Sequence, residues 1–312
     1  MPSIFLALFS ILLGFSLAAC TAPKPSEETE GPTTLARFLG AAQDGGMPHL
    51  GCRQELCSQA RAHPHPLHRV ACMAIEAADG RWWMLDATPD FPSQVEDYGS
   101  LPEAIFLTHA HIGHYTGLMY LGKESLHAKA LPVYASPRMA EFLRQNGPWS
   151  QLVALGNIEL RQMLPGQTVS LSEELQLTPL TVPHRDEFSD TVGFSLSVQN
   201  GKSLFYLPDI DSWDAWDMDL QNLADRHDYL CLDATFFSNQ ELPGRDMSQI
   251  PHPRVTDSMD RFQAAVDSGQ VEVIFTHLNH SNPLWDTASR ESALLMSRGF
   301  TTPLQRPHLV LK

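Results

Sequence analysis

The chain has 312 residues, of which 43% are hydrophobic, 18% charged and 9% aromatic. This composition excludes a disordered chain and fills the core of one α/β domain of about 250–300 residues without calling for a second. A formal net charge of −15, with Lys and Arg scattered rather than clustered, repels phosphate backbones and argues against nucleic acid as a partner.

From the N-terminus, Ile4 to Ala18 is an almost unbroken apolar run. It is short for a membrane span with flanks and reads as a secretory signal over residues 1–20. Its ending, Leu17-Ala18-Ala19-Cys20, resembles a bacterial lipobox. That resemblance implies lipidation of Cys20 and an exported lipoprotein on the periplasmic side, held at the outer membrane; an uncleaved anchor and an ordinary cleaved signal are the alternatives. Residues 21–34 are rich in Pro and Glu without hydrophobic period, and read as a flexible tether. The folded domain is expected over 35–312.

Leu35 to Leu39 reads as a strand ended by Gly40. Gln43 to Cys57, with three Gly, one Pro and one His, is expected to be a loop, long for a mere connection. Val70–Ala77 and Arg81–Asp86 flank the turn dipeptide Asp79-Gly80 and predict a β-hairpin. Ala104 to Thr108 is a short buried strand, then Pro132 to Tyr134 another, and Pro137 to Gln145 a helix. Glu174–Val182, Val192–Val198, Ser203–Leu207 and Tyr229–Asp233 read as strands. A loop runs on to His252, Val255 to Ser268 has helical spacing, and Val271 to Thr276 is a last strand. Strands in two batches, each followed by helical segments, suit two sheets packed face to face with helices outside.

The chemistry-bearing residues fall at strand ends. His109, His111 and His114 follow the strand Ala104–Thr108 directly. In extended backbone, residues two apart share a side, so His109 and His111 can face one cation while His114, beyond Gly113, turns to a neighbouring position. Imidazole nitrogen at this spacing suits zinc, with iron or manganese as alternatives. After Cys20 the chain carries Cys52, Cys57, Cys72 and Cys231. Cys52 and Cys57 are close enough to pair or to share a metal, and free or disulfide-bonded structural thiols are the plainer reading. His63, His65 and His68 alternate with Pro64 and Pro66 and read as a solvated loop. Trp82-Trp83 and Trp213/Trp216 read as core or pocket wall.

Thr108-His109-Ala110-His111-Ile112-Gly113-His114 resembles the metallo-β-lactamase signature Thr-His-X-His-X-Asp-His. Val182-Pro183-His184, Leu207-Pro208-Asp209 and Phe275-Thr276-His277 are similar to that family's later ligand stretches, in the same order. The resemblance implies an α/β fold: an αββα sandwich of two mixed β-sheets with helices on the outside. It implies a first metal site from His109, His111 and His184, with Asp209 bridging to a second site of His114 and His277. Asp86 is then expected to orient ligands from behind, with Asp211 as an alternative ligand. Gly113 stands where the family has Asp, so the first site is expected to be complete and the second weakened, with His280 as a helper.

The stretch Gly40 to Cys52, with Gly244-Arg245-Asp246-Met247, Ile250-Pro251-His252 and His277 to Pro283, resembles the family of coenzyme PQQ biosynthesis protein B. An exported lipoprotein differs from a cytosolic biosynthetic step, so the reading is a paralogue. Asp233 to Phe236 and His252 to Thr256 also resemble ribonuclease Z and the phosphonate-pathway cyclic phosphodiesterase, which implies that His252 assists the leaving side as acid or hydrogen-bond donor.

These resemblances imply a metal-dependent hydrolase holding one or two zinc ions, with a small ester, phosphodiester or lactone as substrate. His252 and Asp209 are the catalytic candidates. A non-haem iron oxygenase related to PQQ biosynthesis and a non-catalytic membrane-tethered binding protein are the alternatives. Oligomeric state is not readable from the sequence.

Overall fold

A computed structural model of the protein describes residues 33–312, a compact unit. The expected signal segment and the tether through residue 32 lie outside the described residues. Among the described residues, no helix is long and apolar enough to cross a membrane.

Among the described residues, thirteen strands form two sheets. The first contains β1 (Leu35–Gly40), β2 (Cys72–Glu76), β3 (Trp82–Leu85), β4 (Ile105–Phe106), β5 (Leu131–Ala135) and β6 (Ile158–Gln162). The second contains β7 (Val169–Ser170), β8 (Leu175–Thr181), β9 (Val192–Val198), β10 (Ser203–Leu207), β11 (Tyr229–Asp233) and β12 (Glu272–Thr276). The last strand, β13 (His308–Val310), returns to the first sheet beside β1. Both sheets are mixed. In the first, β13, β1, β2 and β3 are antiparallel and β3 to β6 parallel. In the second, β7 to β10 are antiparallel and β10 to β12 parallel.

The layering follows from side-chain alternation. Met73, Ile75, Trp83 and Leu85 join a buried cluster with Leu177, Phe194, Leu196 and Phe205 of the second sheet. Their neighbours Ala74, Trp82 and Met84 pack outward, against Phe91, Leu118, Met139 and Leu143. Residues two apart share a face of the pleat, so each strand serves the inter-sheet core and an outer helical layer at once. Helix Pro137–Gln145 starts at Ser136, whose Oγ accepts from the Met139 amide at 3.3 Å. Helix Val255–Asp267 buries Val255, Met259, Phe262 and Ala265, the spacing of one helical face.

Three expectations are corrected. The loop from Gln43 does not stay irregular to Cys57, because helix Glu55–Ala62 begins first. β4 keeps only Ile105–Phe106; the Thr108 amide leaves the ladder and donates to the Asp86 carboxylate at 2.8 Å. The two batches of strands are not fully separate, since β13 crosses back. Strand β6 and helix Arg290–Ser297 were not foreseen.

Candidate metal centre

In the second sheet β8, β10, β11 and β12 run in the same direction. His184 follows β8, Asp209 follows β10, Asp233 ends β11 and His277 follows β12. The end of β4 delivers His109 and His111, and the short helix Ile112–Tyr115 carries His114. One rim therefore gathers side chains from distant parts of the chain.

His109 Nε2 lies 2.9 Å from His111 Nδ1, and His184 Nε2 lies 3.0 Å from the same atom. Asp209 Oδ2 stands 3.3 Å from His109 Nε2 and 3.2 Å from His184 Nε2. Three imidazole nitrogens and a carboxylate oxygen thus point at one another. The other nitrogen of each imidazole faces a neighbouring polar group: His109 Nδ1 meets Thr108 Oγ1 at 2.9 Å, His111 Nε2 meets Glu187 at 3.1 Å, and His184 Nδ1 stands 2.8 Å from the Asp211 carboxylate. That double engagement, one nitrogen inward and one tied behind, is how metal-ligating histidines are held. Tetrahedral zinc ligands at about 2.0–2.1 Å from an ion stand roughly 3.3 Å apart, close to these separations.

A second group adjoins the first. His114 Nδ1 is 2.8 Å from Asp86 Oδ2, and the Thr108 amide and hydroxyl donate to the same carboxylate. Asp86 adopts φ 69° at the end of β3, which turns its side chain under the histidine run. His277 Nδ1 meets Thr235 Oγ1 at 3.0 Å. The opposite nitrogens, His114 Nε2 and His277 Nε2, lie 3.2 and 3.6 Å from Asp44 Oδ1, and His277 Nε2 lies 4.0 Å from Asp209 Oδ2. Asp44 was missed in the sequence; a lone acid in a Gly-rich loop gives no signal of its own.

These atoms suit a cation. His114 Nε2, His277 Nε2 and Asp44 Oδ1 are buried, face one another and make no hydrogen bond, an arrangement that a cation between them would satisfy. Donor sets His109/His111/His184/Asp209 and Asp44/His114/His277 each lie within 4.8 Å.

His252 sits behind Asp209. Its Nδ1 is 2.8 Å from Asp233 Oδ2 and 3.2 Å from Asp209 Oδ1. Asp233 is itself fixed by the Thr235 and Ile210 amides. Arg254 donates to the backbone carbonyls of Met247, Ile250 and His252, which ties down the loop carrying that histidine. A cleft of about 730 Å³ opens there, walled by Arg185, Asp211, Trp213, Asn239, His252 and Arg254.

Burial works against charge on His252, yet the Asp233 and Asp209 carboxylates push it up to about 10. Burial likewise opposes charge on His277, and Asp209, Asp233 and Asp44 push it up to about 9. His109 goes the other way: burial, and next to it the charge on His114, hold it well below the usual imidazole range. Asp44 and Asp209 stay well below the carboxylate range because the surrounding imidazoles outweigh their burial. The pocket is a preformed array of opposite charges in low dielectric.

Other sequence candidates lie elsewhere. Asp211 backs His184 instead of joining the ligand atoms. His280 lies with a different cluster: its Nδ1 is 3.7 Å from Cys57 Sγ and its ring is tilted against His49, with centroids 4.4 Å apart. Cys52, Cys57 and His280 form a further cluster within 4.8 Å, and all four cysteines among the described residues are free thiols. His63 and His65 are exposed. Trp82 and Trp83 are buried in the core, and Trp213, also buried, backs the cleft beside His252.

The pattern of the β-lactamase superfamily domain matches residues 81–278, which contain the histidine run, both aspartates at 209 and 233, and His277. The coenzyme PQQ synthesis protein B of Ruegeria pomeroyi is 26% identical over 297 residues, covering 84% of this chain and 95% of the relative. Among solved structures, Zn(2+)-bound PqqB from Methylobacterium extorquens aligns with a TM-score of 0.71 at 23% identity, over 86% of this chain and 97% of the other. A diphosphatase of the PhnP family aligns with a TM-score of 0.64 at 20% identity, over 89% and 98%. These structural likenesses establish the two-sheet fold.

Proposed function

The chain belongs to the β-lactamase superfamily, and from that premise we propose that it is a metal-dependent hydrolase acting on a small ester, phosphodiester or lactone. The observation that carries this reading is the convergence of His109 Nε2, His111 Nδ1 and His184 Nε2 with Asp209 Oδ2, each ring braced from behind. Zinc is the ion the imidazole-rich donor set favours.

His109, His111 and His184 would hold a divalent cation, with Thr108, Glu187 and Asp211 setting which nitrogen faces inward; such an ion would supply an acidified water and polarisation of the substrate's carbonyl or phosphoryl oxygen. The chain's own residues do the rest. Asp209 spans the centre, one oxygen toward His109 and His184 and the other toward His252. His252, kept protonated by Asp233 and Asp209, holds a proton on Nε2 for the leaving group. The cleft beside it is of a size that takes a small molecule.

The test is elemental analysis of the purified protein together with a screen of phosphodiester, lactone and β-lactam substrates, with His111→Ala as control. Bound transition metal and turnover lost in that variant are expected. Protein devoid of metal ends the reading; oxygen uptake by an iron-loaded protein replaces it with the oxygenase reading.

A further inference from the structure

Gly113 lies in the helix Ile112–Tyr115 with ordinary backbone, not in the left-handed region that demands glycine. Nothing in its conformation forbids a side chain. What forbids one is its neighbour: a Cβ at 113 would stand 2.2 Å from Asp44 Oδ1, 2.8 Å from Asp44 Cγ and 2.9 Å from Asp44 Cα. The space a side chain at 113 would fill is taken by a carboxylate from another part of the chain.

That carboxylate is held there. Ala42 bridges to both Val70 and Leu278. The Gln43 amide donates to the Leu278 carbonyl at 2.9 Å, and the Leu278 amide to the Ala41 carbonyl at 2.7 Å. The segment delivering Asp44 is therefore stitched to the residue after His277. A tight turn follows, with the Gly46 amide on the Gln43 carbonyl at 2.7 Å and Gly46 at φ 68°. Asp44 Oδ1 is buried, has no hydrogen-bond partner, and faces His114 Nε2 and His277 Nε2, which also have none.

We propose that Asp44 is the carboxylate ligand of a second cation site with His114 and His277, having taken over the place of a ligand carried at position 113, so that glycine at 113 is the steric counterpart of aspartate at 44. The second site is then complete in its donor set rather than weakened: two imidazoles, which give up their protons when an ion binds, and a carboxylate, with Asp209 within reach of His277. The proposal rests on the reading that the His/Asp pocket holds metal. It adds that the N-terminal loop supplies part of it.

The experiment loads the full chain with Zn2+, removes loosely held ion by gel filtration, and counts ions per chain by elemental analysis, with circular dichroism as the check of folding. The wild type is expected to keep two ions, and Asp44→Ala one. Asp44→Asn preserves volume and is also expected to keep one, which separates lost charge from lost packing. The double variant Asp44→Gly/Gly113→Asp moves the carboxylate back to the helix and is expected to recover the second ion. Two ions retained by Asp44→Asn, no recovery in the double variant, loss of both ions from Asp44→Asn, or a single ion in the wild type each overturn the proposal and leave the metal reading standing. A wild type without any ion overturns both.

Discussion

His184 Nδ1 lies 2.8 Å from Asp211 Oδ1, and this pair decides which face of the imidazole meets His109, His111 and Asp209. Asp211 is placed by its own amide, which donates to the Pro183 carbonyl at 2.9 Å, so the two loops after β8 and β10 fix each other. Carboxylates in this position raise the basicity of a ligating histidine and lock its orientation. On the proposed metal reading, Asp211→Ala is expected to weaken binding of added zinc at the first site by roughly 10–100-fold while leaving the fold intact. Competition with a chromogenic chelator reads the change; an affinity equal to wild type removes Asp211 from the centre.

Asp86 plays the same part for His114 but is also structural. It is fully buried and accepts from the Thr108 amide, the Thr108 hydroxyl and His114. Truncation to Ala strands these groups without partners, at a cost of about 2–4 kcal/mol, and Ala tolerates φ 69° poorly. A melting temperature lower by roughly 5–10 °C is expected. Asn accepts the left-handed backbone and keeps one acceptor oxygen, so Asp86→Asn is expected to lose less stability than Ala while still releasing His114. A melting temperature for Asp86→Ala equal to wild type defeats the assignment.

The legible part of this protein was the part written as contiguous runs. β9, β10 and β11 begin and end where apolar runs do, and the histidine run follows its strand without interruption. What stayed hidden depends on contacts between remote segments. β13 is three residues long and is a strand only because β1 is there to pair with it. Asp44 is visible only once Gly113 is seen to leave room for it. Asp233 was legible as a strand end opening the ribonuclease Z-like stretch; its contact with His252, which reaches it from a different loop, was not. A sequence resemblance points to missing ligands at fixed positions, and it does not say when another segment has supplied one.

The loop before His252 gives a pH test away from the metal ligands. Glu241 is largely buried; its Oε2 accepts from the Phe237 amide at 2.6 Å and its Oε1 from Ser281 Oγ at 2.5 Å. Burial outweighs those hydrogen bonds and the nearby Arg254 and pushes the carboxyl up to about 7. An unfolded chain releases this proton near 4.5, so between about 4.5 and 7 the native state binds more protons than the unfolded one. Stability from this group is then fully present below about 4.5, falls as pH rises, and is flat above about 7. The effect is on the order of 1 kcal/mol once partial exposure is allowed for. Glu241→Gln carries no such titration. Its melting temperature relative to wild type is expected to rise between about pH 5 and pH 8, whatever the constant offset from the altered hydrogen bonds. A difference that does not move with pH rules this out.

His252 separates proton donation from metal binding. Its Nδ1 is committed to Asp233 and Asp209, and no protein group among the described residues engages Nε2. Substitution by Asn keeps a donor toward Asp233 and removes the proton that Nε2 would deliver. If His252 acts on the leaving group, His252→Asn retains the wild-type metal content, since His109, His111 and His184 are untouched, and loses roughly 10²–10⁴ in kcat. KM should change little, because the interaction is made in the transition state and not in the bound ground state. The size of the loss should also depend on the substrate: a leaving group of low pKa, such as a nitrophenolate, departs without protonation and is spared, whereas an alkoxide is not. An equal loss across both leaving groups points instead to a role through Asp209, and a fall in metal content says the same.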